Sequence, residues 1–373
     1  MSKWKTVEGS TGRLLQLCFG YWFFYIITGV TVKYFQGPAA EGFPGMSAMQ
    51  FLVYSTIGGS TVCLATVLAL RWYRMESNRL VRWGRFAFPH EFFYIIPSGV
   101  CTAVVIPTTT LMYSLPISVM VAMVIMRASI IIISRLVDAI LIKQKILHKK
   151  VYWQEDAAVV FALVAAISSI NIFGATEGGF DFIHSAAAVT ILGSYLLAYA
   201  IRLYIMNYYK NTRGHGVKQD NKGFFAVEQI AAGITMVSVT CLLFKAEAWF
   251  GWTDPQIRVF TGAIVNPLPL WGWAILAGSA FGVAAFFSVF LFMFKGRTAT
   301  FAGLVNRLTS LVAGTTATLA FAFFFNGRYP QNQDWISLCF IIVAVAFLTV
   351  AEKRRAAELI RTHEIEMKLR SAS

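Results

Sequence analysis

Two arginines, Arg127 and Arg307, stand inside apolar stretches, PISVMVAMVIMRASIIII (116–133) and TATFAGLVNRLTSLVAG (298–314). A guanidinium keeps its proton, and its planar fork binds a phosphate or carboxylate through two parallel N–H bonds. At the centre of a bilayer such a charge costs about 2.5–3.5 kcal/mol on insertion scales, so it points into a cavity and meets a counter-ion. The acidic residues near the apolar stretches are Glu91, Asp138 and Glu228. The pattern puts Glu91 and Glu228 at the starts of their segments. Asp138 falls about 16 Å along the helix from Arg127, beside Arg135. No carboxylate is placed at mid-depth, and the unmet charge points to an anionic substrate. In the competing reading the arginines bond backbone carbonyls or Asn171, or lock two helices together.

Around Arg307, the residues Thr300, Gly303, Ser310 and Gly314 share one helical face, with Asn306 beside it. The glycines there either line a cavity or let helices approach closely. Tyr21 and Tyr25, like Tyr195 and Tyr199, form a YxxxY pair; they stack on a base or sugar, or belong to the core or interface. The substrate-binding candidates are therefore Arg127, Arg307, Asn306, Ser310, Tyr25 and Tyr199. Arg135, Asp138 and Glu228 are gate candidates, against snorkelling of Arg135 and Arg202 or a local Arg135–Asp138 pair. The five cysteines lie singly in apolar segments, and the five histidines are scattered. Neither a metal site nor a cofactor is expected. The acid–base clusters of a membrane enzyme are missing, which disfavours a lipid-phosphate transferase built on the arginines.

The elements that must hold these residues are transmembrane helices. Of all residues 57% are hydrophobic and 13% charged, against about 25% charged in soluble chains. Ten segments approach the roughly 20 apolar residues that span a bilayer: 14–36, 47–70, 91–113, 116–142, 155–174, 183–206, 224–245, 270–294, 298–325 and 335–351. The net charge of +14 gathers in short loops, which argues against nucleic acid and for a topology signal. Of 32 Lys and Arg, 24 fall on one side of the ten-segment arrangement and four on the other, with four inside helices. Both termini are thereby expected in the cytoplasm. The basic start, MSKWKTVEGSTGR, carries no cleavage site, so the first segment is expected to be retained.

Weak matches recur at nearly one offset: the two YxxxY pairs, STVC (60–63) with SVTC (238–241), Gly99 with Gly278, Arg127 with Arg307, and Trp153 with Trp335. The expected fold is all-α and polytopic, ten helices in a 5+5 inverted repeat. Residues 1–174 form the first repeat, 175–351 the second and 352–373 a charged tail. Inverted repeats with a midplane site between them are a transporter design. Arg127 lies about 16 Å in from one face and Arg307 about 14 Å in from the other, so one shared anion site is expected.

This layout resembles the drug/metabolite transporter superfamily, and within it the nucleotide-sugar and triose-phosphate branch. The stretch MRASIIIISRLVDAILIKQKILHKKVYWQEDAAVVFALVAAI (126–167) carries most of the likeness: a fourth helix with a central polar residue, a short basic loop, then Trp and a small-residue fifth helix. The resemblance implies alternating access by rocking halves, often as exchange, with substrate phosphate held by Arg127 and Arg307. GLVNR (303–307) is only a loose analogue of the Gly-Ala-Leu-Asn-Lys motif of GDP-mannose transporters. The segment AEAWFGWTDPQIRVFTGAIVNPLP (246–269) is longer than the family's usual outer loop and serves as an interfacial lid or an aromatic anchor.

The reading is a secondary transporter, and not an enzyme, for a small organic anion: a phosphorylated metabolite, nucleotide or nucleotide sugar. Its same-fold rival exports amino acids or other small metabolites. The partners are that anion and the lipid bilayer, and the sequence leaves a homodimer open. No N-x-S/T sequon occurs, and the end EIEMKLRSAS carries no retention signal, which favours a bacterial inner membrane.

Overall fold

The structure is a computed structural model. It describes the chain except residues 1–10, 76, 78, 84–85, 148–150, 171–181, 214–218, 293, 295–298 and 373. At 11, 83, 86, 169–170, 299–303, 356 and 359–372 it describes the backbone alone. Asn171 and the side chains of Thr300 and Gly303 thus lie outside the described residues. So do several basic loop residues, Lys3, Lys5, Arg85, Lys149, Lys150, Lys218, Lys295 and Arg297 among them.

The long helices are α1 (Thr11–Gln36), α2 (Ala48–Ala69), α3 (Phe92–Ser114), α4 (Val119–Lys143), α5 (Trp153–Ile170), α6 (Ala186–Asn211) and α7 (Asn221–Phe244). The short α8 (Ala246–Phe250) and α9 (Pro255–Val265) follow, then α10 (Trp271–Phe292), α11 (Ala299–Phe325) and α12 (Asn332–Ala372). Among the described residues, nine helices are long and apolar enough to cross a membrane: α1–α4, α6, α7 and α10–α12. The chain is an all-α, multi-pass membrane protein. Its large outward side chains, such as Phe19, Leu197, Val237, Phe323 and Phe324, are exposed as a lipid-facing surface would be.

The helix starts follow from their caps. Ser47 and Gln50 form a reciprocal capping box at α2. Ser118 Oγ accepts from Val121 N at α4, directly after the Leu115–Pro116 reversal. Ser185 caps α6 and Asp220 caps α7 in the same way.

Three features add to the sequence reading. The stretch between α2 and α3 carries a two-stranded antiparallel ribbon, β1 (Leu80–Trp83) and β2 (Phe86–Pro89), in the register Leu80↔Pro89. The charged tail continues α12, which runs through it as one 41-residue helix. The segment 246–269 folds as α8 and α9, with α9 packed on α2 and α7. Tyr54 of α2 fixes that segment, donating to Ala263 O at 2.8 Å and accepting from Leu268 N at 3.1 Å. Trp249, Phe250 and Trp252 remain exposed, as an aromatic anchor at a membrane interface would be.

Helix α1 packs on α10 and α11, α6 on α3 and α4, α2 on α10, α7 on α3, and α5 on α12 and α4. Helix α4 also meets α11, and α11 meets α12. Small residues allow the closest of these approaches. A Cβ at Gly278 would collide with the backbone carbonyl of Ser55, and one at Gly58 with that of Ile275. On α3, a Cβ at Gly99 would stand 2.7 Å from Glu228 O of α7. Gly314 sits against Met123 of α4, so packing, and not cavity lining, explains that glycine.

Candidate functional site

Helix α4 presents Arg127 toward α1, where two tyrosines one turn apart meet it. Arg127 is 4% exposed. Its Nη2 donates to Tyr21 Oη at 3.1 Å and Tyr25 Oη at 3.2 Å. Tyr113 Oη of α3 lies 2.8 Å from Tyr25 Oη, so the acceptor is itself held in place. Arg127 Nε is buried without a hydrogen-bond partner. Tyrosine hydroxyls are dipoles and supply no counter-charge; among the described residues no carboxylate bonds to this guanidinium.

Arg127 opens onto a cavity of about 520 Å3, including its mouth, which Tyr21, Tyr25, Tyr195 and Tyr199 also line. The YxxxY pairs of α1 and α6 thus converge on one arginine. Hydroxyls of Thr102, Thr109 and Ser288 add polar character to the wall.

Arg307 occupies a different cavity. It is 6% exposed, its Nη2 donates to Ser134 Oγ of α4, and its Nε is buried without a partner. Its cavity, about 750 Å3 including the mouth, is lined also by Arg135, Asp138, Asn207 and Lys210. Ser134 lies seven residues beyond Arg127, two turns along the same face of α4, or about 10 Å. The two arginines thus line separate cavities. Counting residues in from each helix end put the two side chains at one level, but the register of α11 against α4 offsets them. They remain electrostatic neighbours, with Tyr199 close to Arg307 as well.

The other candidates separate in the same way. Tyr25 and Tyr199 line the Arg127 cavity. Asn306 is fully buried; its Nδ2 donates to Ser288 Oγ at 3.1 Å while its Oδ1 has no partner. It thus stands behind a cavity-lining serine. Ser310 is also fully buried and lines neither cavity; its hydroxyl donates to Arg307 O on its own helix, 2.8 Å away.

Glu228 does not sit at the start of its helix. Asp220 caps α7 early enough to place Glu228 about 10 Å into it. There it is 0% exposed and accepts from Arg202 Nε and Nη2, both at 2.8 Å, and from Ser98 Oγ at 2.7 Å. Arg202, 8% exposed, does not snorkel. Arg135 pairs with Asp156 of α5 at 3.0 Å, which replaces the expected Arg135–Asp138 pair. Asp138 is instead an electrostatic neighbour of Arg307.

Three ion clusters escaped the sequence reading. Beside Arg202–Glu228 stand Arg213–Glu91 at 2.8 Å, with Ser77 Oγ also on Glu91, and Arg355 with Glu155 and Glu352. Arg202–Glu228 joins α6 to α7, Arg213–Glu91 ties the end of α6 to the start of α3, and Arg355–Glu155 joins α12 to α5. The available signal was the presence of opposite charges in separate apolar segments, which fixes no pairing without the rotational phase of each helix.

No protein-family model matches this chain, and no curated protein does. Among solved structures, a crystal structure described only as that of a protein aligns over 92% of this chain and 99% of its own, with a TM-score of 0.51 and 16% identity. At that identity the likeness is one of fold.

Proposed function

We propose that the chain is a secondary transporter of the drug/metabolite transporter superfamily, nucleotide-sugar and triose-phosphate branch, working by alternating access. Its substrate is a small organic anion: a phosphorylated metabolite, nucleotide or nucleotide sugar. The observation that carries this is Arg127, a permanent cation buried beside the tyrosine-lined cavity, with only tyrosine hydroxyls bonded to it among the described residues. An anion would supply the missing charge and meet the free Nε. Four tyrosines around it offer ring faces for a base or sugar. Arg202, on the same wall, is neutralised by Glu228 and adds no second free charge.

Ten helices in a 5+5 inverted repeat are supported by the packing pattern. Exchanging α1–α5 for α6, α7, α10, α11 and α12 turns α1·α10 into α6·α3, α2·α10 into α7·α3, and α1·α11 into α6·α4. Each of these contacts exists. The counterparts Gly278 and Gly99 serve equivalent close approaches. The basic end of the bundle is assigned to the cytoplasm, with both termini there, in a bacterial inner membrane.

The test is thermal stabilisation of the purified protein by phosphorylated metabolites, nucleotides, nucleotide sugars and amino acids, followed by uptake into proteoliposomes. Ligand binding to the folded state raises its stability. Stabilisation by a phosphorylated compound that disappears in Arg127→Gln supports the reading. Stabilisation by neutral amino acids alone, unchanged in Arg127→Gln, favours the metabolite exporter and sinks the anion site.

A further inference from the structure

The Arg307 cavity holds two cationic donors that lack hydrogen-bond partners among the described residues. Arg135 is engaged by Asp156, and Glu155 by Arg355. Asp138 lines the same cavity and is an electrostatic neighbour of Arg307. Glu352 is an electrostatic neighbour of Lys210 and is bound, together with Glu155, by Arg355. Lys210 Nζ, in the last turn of α6, is buried with no hydrogen-bond partner, as is Arg307 Nε. A buried cationic donor left unbonded is costly, and two in one open cavity describe a place where an anionic oxygen is missing. Ser134 holds the Arg307 fork in position from α4, so the donor is preorganised.

We infer that this cavity is a second anion-binding site, about 10 Å along α4 from the Arg127 cavity, taking a phosphate or carboxylate group on Arg307 and Lys210. As a station on a transport route, receiving the anion that Arg127 releases, it rests on the transporter reading. As a binding site it rests on the geometry of this cavity. A single clamp would need both guanidiniums in one space; the structure instead gives each its own cavity, with Tyr199 between them in electrostatic range of Arg307.

The experiment is equilibrium binding of radiolabelled inorganic phosphate to the purified full chain, read as moles bound per mole of protein. Elution as a single species in size exclusion checks that each variant is folded. The wild type is expected to bind two phosphates. Arg307→Gln should bind one, and Lys210→Gln, a milder change at a less buried site, should weaken one class of site about tenfold. Adding Arg127→Gln to Arg307→Gln should remove the remaining phosphate. Unchanged binding in both Arg307→Gln and Lys210→Gln overturns the second site. A loss in these two with none in Arg127→Gln keeps the second site and overturns the central one. Absence of saturable phosphate binding to the wild type overturns both.

Discussion

Replacing Glu228 by glutamine keeps the shape of the side chain but removes the charge opposite Arg202. The pair is a two-point fork, with both N···O distances 2.8 Å and exposures of 8% and 0%. At an effective dielectric of about 20, unit charges about 4 Å apart attract by roughly 4 kcal/mol. Breaking buried pairs from one side costs about 3–5 kcal/mol, so the two routes agree. Glu228→Gln should therefore destabilise the protein by about that amount, and Arg202→Met similarly, since each leaves a buried partner uncompensated. The double variant Arg202→Met with Glu228→Gln should recover most of the loss, because no charge is then stranded. Equilibrium unfolding in detergent micelles for the four proteins gives the coupling energy directly. Single variants within about 1 kcal/mol of wild type, or a double variant equal to the sum of the singles, would refute the reasoning.

Gly278→Ala should be among the most damaging small substitutions, by about 1–3 kcal/mol or more, since the methyl meets the carbonyl of Ser55. Gly193→Ala, with nothing within 4 Å of the added carbon, should be neutral or stabilising by about 0.5–1 kcal/mol; unfolding of the two variants side by side checks the contrast. Asp156→Asn breaks an ion pair whose carboxylate side is largely exposed, so its cost in the same assay should stay under about 1 kcal/mol.

The helices were legible because twenty-residue apolar runs and their caps are local signals. The fourth segment was expected over 116–142 and α4 spans Val119–Lys143, the difference being the Ser118 cap. The ribbon at 80–89 was not legible, since two four-residue strands carry too little periodicity to read. Arg127 and Arg307 stood out because charge in an apolar run is energetically conspicuous. Their division between two cavities did not, because it depends on the register of α11 against α4. Glu228 was misplaced by one helical turn of α7, and that turn separates an interfacial carboxylate from the buried partner of Arg202. Ser310 shows the complementary failure: sharing a helical face with Arg307 does not make its hydroxyl available once a carbonyl on the same helix has taken it.

The backbone contact at Gly278 has a mechanical consequence. Where main chain touches main chain, no side chain is left to change rotamer and let one helix slip past the other. Helix α2 is thereby welded to α10, and α3 sits nearly as close on α7 through Gly99. Each weld joins an early stretch of the chain to a late one. In the alternating access proposed above, α2 is expected to move with α10 and α3 with α7.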